Sequence, residues 1–234
     1  MRYLKSTVRL FYPTLAGATL ADRIKASLGA FICLVAAAVG CELLSKSTGG
    51  LSLLIAPIGA SAVLLFAVPA SPLAQPWSIF GGNVVSALAG VAVASVLGHN
   101  AISIGAAVGA SILAMSLLRC IHPPGGAAAI IAVIGGPAIW GAGFTFPFNT
   151  VAVDTIILLM TGWLFHRFSG HSYPHRAPVV FDTGPHHLHR SDITQALGDI
   201  GETFDISADD LEVLLERAEH YALLRAGKAS GART

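Results

Sequence analysis

Polar residues are sparse enough between positions 24 and 168 to cut the chain into discrete apolar runs. Residues 24–44 form a continuous run of the length that crosses about 30 Å of hydrocarbon as a helix. Residues 51–69 form a second run, interrupted early by Pro57 and Gly59, and residues 79–97 a third. The fourth, residues 101–118, is rich in glycine, alanine and serine, a composition that lets helices approach closely. Residues 125–140 are apolar but short for a full crossing, which predicts a half-helix or one sunk among its neighbours. Residues 150–165 make the last span, ended by His166 and Arg167. Between the runs, residues 46–50, His99 with Asn100, and residues 141–147 read as turns. Residues 70–77 read as a compact loop anchored by an interfacial tryptophan, Trp77.

After Phe168 the pattern becomes polar. Residues 169–185 look like an irregular connector, and residues 192–198 like a short helix. The sequence Ser207-Ala-Asp-Asp210 is an N-cap signature opening a helix to about Arg225. In that helix Leu211, Leu214, Leu215, Ala218 and Ala222 share one face, which needs a partner surface.

Composition agrees with a bilayer. The chain has 234 residues, 54% hydrophobic and 12% charged, with mean hydropathy +0.70; a soluble domain carries about a quarter charged residues. A net charge of +1 gives no electrostatic case for nucleic acid. The basic start (Arg2, Lys5, Arg9, Arg23) is a poor signal peptide, because Tyr12, Pro13 and Thr14 break its apolar part, and it reads as a retained cytoplasmic tail. Cys33, Cys41 and Cys120 lie in or beside apolar runs without metal spacing, so buried thiols are expected rather than disulfides. No nucleophile elbow, phosphate loop, dinucleotide fingerprint or zinc-protease motif occurs, so neither an enzyme nor a cofactor is expected.

The candidate chemistry centres on Arg119-Cys-Ile-His122-Pro-Pro-Gly-Gly-Ala127. Pro123 and Pro124 force the residue before each into an extended conformation, so the incoming helix should stop near His122 and a new one begin at Gly125. The small residues that follow should leave first-turn N–H groups open, and a helix start with unpaired N–H groups suits an anion. Arg119 and His122 would add a fixed and a switchable charge; ionisable groups at membrane depth usually mark a pathway. The alternative is a tight surface loop with Arg119 as a flanking charge.

Pro57-Ile-Gly59-Ala60-Ser61-Ala62 and Pro124-Gly-Gly126-Ala127-Ala-Ala129 share the form P-x-G-A-x-A at a spacing of 67 residues. Asn83 and Asn149 recur at nearly the same spacing. Two units of three spans, residues 24–98 and 101–168, would then face opposite ways, the inverted-repeat plan in which broken helices meet near the midplane. Arg2 to Lys25 at one end and Arg167, Arg176 and Arg190 at the other place both termini in the cytoplasm. Six crossings satisfy that, as do four with two re-entrant pieces. The expected architecture is all-α: a polytopic bundle with an N-terminal tail (1–23), a connector (169–190) and a cytoplasmic helical tail (191–234).

Other polar residues are weaker candidates. Asp154, one turn into the last span, needs a partner at membrane depth: Arg119 is one possibility, and capping its own helix start the other. Glu42 and Lys46 suit an interfacial ion pair. The histidines 171, 175, 186, 187 and 189 lack companion ligands, so no metal is expected.

Taken together the chain resembles the HPP family of integral membrane proteins, named for a motif present here as His122-Pro123-Pro124. The resemblance includes residues 57–69, 71–76, Gly81-Gly82-Asn83, His122 to Ala127 and Tyr173-Pro174. It implies a permeation function for a small anion, since family members are similar to proteins implicated in nitrite transport across plastid membranes. Some relatives continue into a pair of nucleotide-binding CBS domains, which this sequence is expected to lack. The expected function is a transporter or channel for nitrite or a similar monovalent anion in the inner (plasma) membrane, as a homodimer. Its expected site is built from Arg119, His122, Pro123, Pro124, Gly125, Gly126, Pro57, Gly59, Ala60, Ser61, Asn83 and Asn149. The alternative is a membrane-anchored sensor or scaffold whose cytoplasmic helix binds a partner.

Overall fold

The computed structural model describes residues 20–48, 55–176, 190–200 and 205–231, and in them every regular element is helical. Helix α1 (Leu20–Thr48) is unbroken, and its Leu20–Leu43 part is long and apolar enough to cross a membrane. So are α3 (Pro76–Leu97) and the stretch Pro147–Ser169, whose α-helical part is α7 (Val153–Ser169). Helix α5 (Pro123–Ile134) turns through 92° into α6 (Pro137–Ala142), and this bent pair qualifies as a broken fourth span. Helices α2 (Ala56–Ala67) and α4 (Ala101–Leu117) are apolar and shorter. Beyond them lie α8 (Arg190–Ile200) and α9 (Ala208–Gly231). Residues 1–19 of the expected basic tail lie outside the described residues, while residues 20–23, Arg23 among them, are wound into α1 rather than the tail. His186, His187 and His189 also lie outside, and the Glu42 to Lys46 pairing rests on a lysine side chain outside them too.

Local sequence explains most boundaries. Asn100 caps α4, its side-chain oxygen accepting from the N–H groups of Ile102 (3.0 Å) and Ser103 (3.1 Å). Gly170, in the left-handed conformation, closes α7. Arg119 takes the same conformation (φ 54°), and Cys120 N–H reaches back to Met115 O, so α4 ends in a Schellman-type reversal with arginine where glycine is usual. Ser207 caps α9 as the sequence predicts, accepting from Asp210 N–H. Several boundaries differ from expectation: α1 runs on to Thr48 through part of the expected 46–50 turn, α3 begins at Pro76 inside the expected loop, and two more have a local cause. Helix α5 starts at Pro123 rather than Gly125, because prolines in a first turn lack only donors that would be unpaired anyway. Residues 141–147 are wound rather than open: a 3-10 turn at Gly143–Thr145 and a π-turn at Pro147–Ala152 run directly into α7.

Helix α3 is central, packed on α4, α5 and the start of α7, while α1 packs on α2 and α7. Its contact with α5 is made backbone to backbone. Gly82, Ser86 and Gly90 recur every fourth residue along one face of α3. An ideal Cβ on Gly90 would stand 2.5 Å from Ala129 O, and one on Gly125 2.6 Å from Gly82 O. Glycine is required there because the neighbour is main chain, which has nowhere to go. Large side chains on the outward faces, such as Phe31, Leu117, Met160 and Phe168, are exposed, as they are when lipid is the solvent.

The two short helices α2 and α5 have 12 residues each, begin with proline in the first turn and pack on one another. They run in opposite directions. The end of α2 meets the end of α7 through Phe66 and Phe165, whose ring centroids are 5.4 Å apart. The end of α5 lies at the opposite pole, where Val133 O accepts from Trp140 Nε1 and lies 2.8 Å from His99 Nδ1.

Candidate functional site

The polar core of the bundle is built where the start of α5 meets the middle of α2. His122, the residue before Pro123, is held extended by the proline ring (φ −147°, ψ 107°), which turns its side chain back into the bundle. The imidazole is fully buried. Its Nδ1 lies 2.9 Å from Leu73 O, and a carbonyl only accepts, so Nδ1 carries a proton. Its Nε2 lies 2.7 Å from Ser61 Oγ. Ser61 Oγ also lies 3.0 Å from Pro57 O and accepts from Asn83 Nδ2 at 3.1 Å. Leu73, His122, Ser61 and Asn83 thus form one continuous hydrogen-bonded chain linking four segments of the fold.

That chain ends in unpaired atoms. Asn83 Oδ1 and Ser86 Oγ, both in fully buried side chains one turn apart on α3, have no partner. A buried polar atom without a hydrogen bond costs about 1–3 kcal/mol, so the pair marks a place where a polar guest would be stabilised. His122 also reaches a cavity of about 190 Å³, lined by His122, Pro123 and Gly126 together with Val108, Ile112 and Met115 of α4; Asn83 and Ser86 do not line it.

The other expected site residues fall in several places. Pro57, Ser61, Asn83, His122, Pro124 and Gly125 are buried in this core; Gly59 and Gly126 are half-buried; Ala60 and Pro123 are exposed. Arg119 is exposed on the α4–α5 turn and Asn149 is exposed on the π-turn, so neither reaches the core. The expected row of open N–H groups is reduced at both helix starts. At α5 the two prolines have none, and Gly125 N–H donates to His122 O (2.9 Å). At α2 Pro57 has none, and Ile58 N–H donates to Ile55 O (3.0 Å). The two starts also do not face one another end to end, since the N-cap of α5 lies against the sixth residue of α2, halfway along it.

Asp154 corrects a further expectation. Its partner is neither Arg119 nor the start of its own helix: Oδ2 accepts from Ile55 N–H (3.1 Å) and Oδ1 from the Cys41 thiol (2.9 Å). A buried carboxylate therefore caps α2 from α7, occupying the positive end of that half-helix. Asp154→Ala leaves the Ile55 N–H without an acceptor and is expected to destabilise the protein by about 1–3 kcal/mol. Asp154→Asn, which keeps one acceptor, is expected to cost less; thermal unfolding in detergent compares the two. The three cysteines are free and buried, as the sequence predicts.

Residues 69–75 tie this core to the tail. Leu73 O holds His122; Ala74 O accepts from Tyr173 Oη (2.9 Å), and burial pushes that phenol up, keeping it a donor. Ser71 Oγ donates to Asp205 (2.7 Å), Gln75 Oε1 accepts from His175 N–H (3.0 Å), and His175 Nε2 lies 2.7 Å from Asp210. Sequence reasoning missed Ser86 and the Leu73 carbonyl. The Gly82, Ser86, Gly90 stripe is a signal for the first; a main-chain acceptor leaves no signal in the letters.

Comparison with known proteins agrees with a membrane bundle. The family model described as HPP, transmembrane region, matches residues 16–174. Two transmembrane proteins of Dictyostelium discoideum are each 37% identical, one over 129 residues (53% of this chain, 45% of the relative) and one over 120 residues (50% and 38%). The match thus spans less than half the length of either relative. No solved structure matches the chain.

Proposed function

We propose a function with the family in hand: the chain belongs to the HPP transmembrane family. It is an integral membrane transporter or channel for nitrite or a similar small monovalent anion. The observation that carries this reading is the buried His122, Ser61 and Asn83 chain inside an apolar bundle, with Asn83 Oδ1 unpaired at its end and a second unpaired oxygen, Ser86 Oγ, three residues on along α3. Ionisable and polar groups at that depth are expensive and mark pathways. Two 12-residue half-helices that start at proline and run antiparallel support the inverted-repeat plan, with the site at their crossing. The guest lies in the cavity that His122 lines, Ser61 and Asn83 position His122, and Gly82 and Gly125 allow the close approach. Arg119, on the turn at the tail end with Arg23 and Arg167, supports a cytoplasmic placement of that end in the plasma membrane.

Uptake of nitrite, nitrate, formate and chloride into proteoliposomes of the purified chain tests this reading. Saturable, protein-dependent flux of one of them is expected; flux of none from folded protein would sink it.

A second reading, a membrane-anchored sensor or scaffold, is favoured by one observation: the tail grips residues 71–75, the same turn whose carbonyl holds His122. Leu214 of α9 is 57% exposed, so part of its apolar face is open to a partner. Removing residues 192–234 separates the two readings, since a transporter keeps its flux and a scaffold loses its function.

A further inference from the structure

Resting on that transport reading, we propose that the site moves its anion together with one proton, which is taken up on Nε2 of His122, so that translocation is electroneutral. The hydrogen-bond geometry supplies the device. Ser61 Oγ has a single hydrogen and two acceptors within reach, His122 Nε2 at 2.7 Å and Pro57 O at 3.0 Å. With the hydrogen toward Nε2 the imidazole is neutral, because Nδ1 already donates to Leu73 O. When Nε2 takes a proton, the Ser61 hydroxyl rotates to Pro57 O and its oxygen accepts from the new N–H. Asn83 Nδ2 donates to Ser61 Oγ in both states. Both states are therefore fully bonded with no movement larger than one hydroxyl rotation, and they differ by one unit of positive charge.

Charge balance explains why an anion needs that proton. The surroundings of the ring hold no fixed cation among the described residues. From α2 it faces Ser61, from the 71–75 turn Leu73 O, and from α3 Asn83 and the Gly82 backbone. From α4 the cavity wall is Val108, Ile112 and Met115. On its own loop the Cys120 thiol packs on Gly81 and Arg119 points out to the exposed surface. Asp154, at the α2 start six residues before Ser61, adds a carboxylate and not a cation. A bare anion in the apolar cavity of about 190 Å³ would meet only neutral groups, and an isolated charge in such a place is strongly disfavoured. An anion beside an imidazolium carries no net charge. The proton enters with the anion from one side and leaves His122 with it on the other, so no other species is consumed. The ligand class is a small monovalent anion.

The test uses proteoliposomes of the full chain with a pH-sensitive dye inside, nitrite as the probe, protein-free vesicles as background and the membrane potential set by potassium and valinomycin. One proton is expected to enter per nitrite, the rate should not change when the potential is stepped, and it should climb as the outer pH falls, because each anion needs a proton to enter with it. In His122→Gln, which offers hydrogen bonds but binds no proton, the internal acidification is expected to vanish. Nitrite uptake by the unaltered protein that follows the potential without acidification overturns proton coupling and leaves anion transport standing. Absence of protein-dependent flux for every small anion at every pH overturns the transport reading, and the coupling with it.

Discussion

His122→Ala is expected to lower anion flux more than tenfold while most of the protein still folds. The imidazole joins Leu73 O to Ser61 Oγ, so its removal leaves a buried carbonyl without its donor and a serine without its partner. Each such loss is worth about 1–3 kcal/mol, and about 1.4 kcal/mol is already tenfold in an equilibrium. The fold loses the same contacts, but it also rests on the α3–α5 backbone seam and on the α1, α2 and α7 packing, which the substitution does not touch. Flux per folded molecule, with the folded amount taken from size exclusion and thermal unfolding in detergent, is the deciding quantity. Cys120→Ala is the control: that thiol is equally buried two residues away and packs on Gly81, yet it makes no bond in the polar chain. Its flux is expected to stay within about fourfold, since one lost packing group is worth about 0.8 kcal/mol. If both variants lose flux in proportion to folded protein, His122 is a packing residue. Arg119→Ala, at an exposed turn, is expected to fall nearer the control.

What the letters made legible was the backbone. Pro57 and Pro123-Pro124 announce two helix starts by the chemistry of proline alone, Asn100 announces a cap, and the apolar runs announce spans, because these depend on neighbours in sequence. Partners across the fold were not legible. The proposed equivalence of Asn83 and Asn149 fails in space: one is fully buried against Ser61, the other exposed on a π-turn whose extra residue shifts the register of α7. Asp154 was legible as a residue needing a partner, but not as the cap of a helix 99 residues earlier in the chain. The helix starts were legible as positive ends, yet the donors expected to face an ion are turned to the protein's own carbonyls and to that carboxylate. A spacing rule identifies a group that needs satisfying; only the packing identifies what satisfies it.

Gly82→Ala is expected to be strongly damaging although it adds a single methyl. Alanine normally gains about 1 kcal/mol over glycine inside a helix, so on propensity alone the substitution should stabilise α3. The packing reverses the sign. A Cβ at position 82 would stand 2.4 Å from His122 Cβ and 2.8 Å from Cys120 O, both atoms of a loop pinned by two prolines and by the Leu73 bond. Neither neighbour is the free end of a flexible side chain, so the loop must move away from α3. Overpacking of a tight core costs about 1–3 kcal/mol, occasionally more. The movement also opens the His122 to Ser61 contact, so flux should fall further than stability does. Gly105→Ala on α4 is the matched comparison, since nothing lies within 4 Å of a Cβ there; it should leave unfolding unchanged or raise it by up to about 1 kcal/mol. A Gly82→Ala protein as stable and active as the Gly105→Ala protein would mean that the seam between α3 and the His122 loop is looser than these distances, and that His122 is not fixed by the backbone beside it.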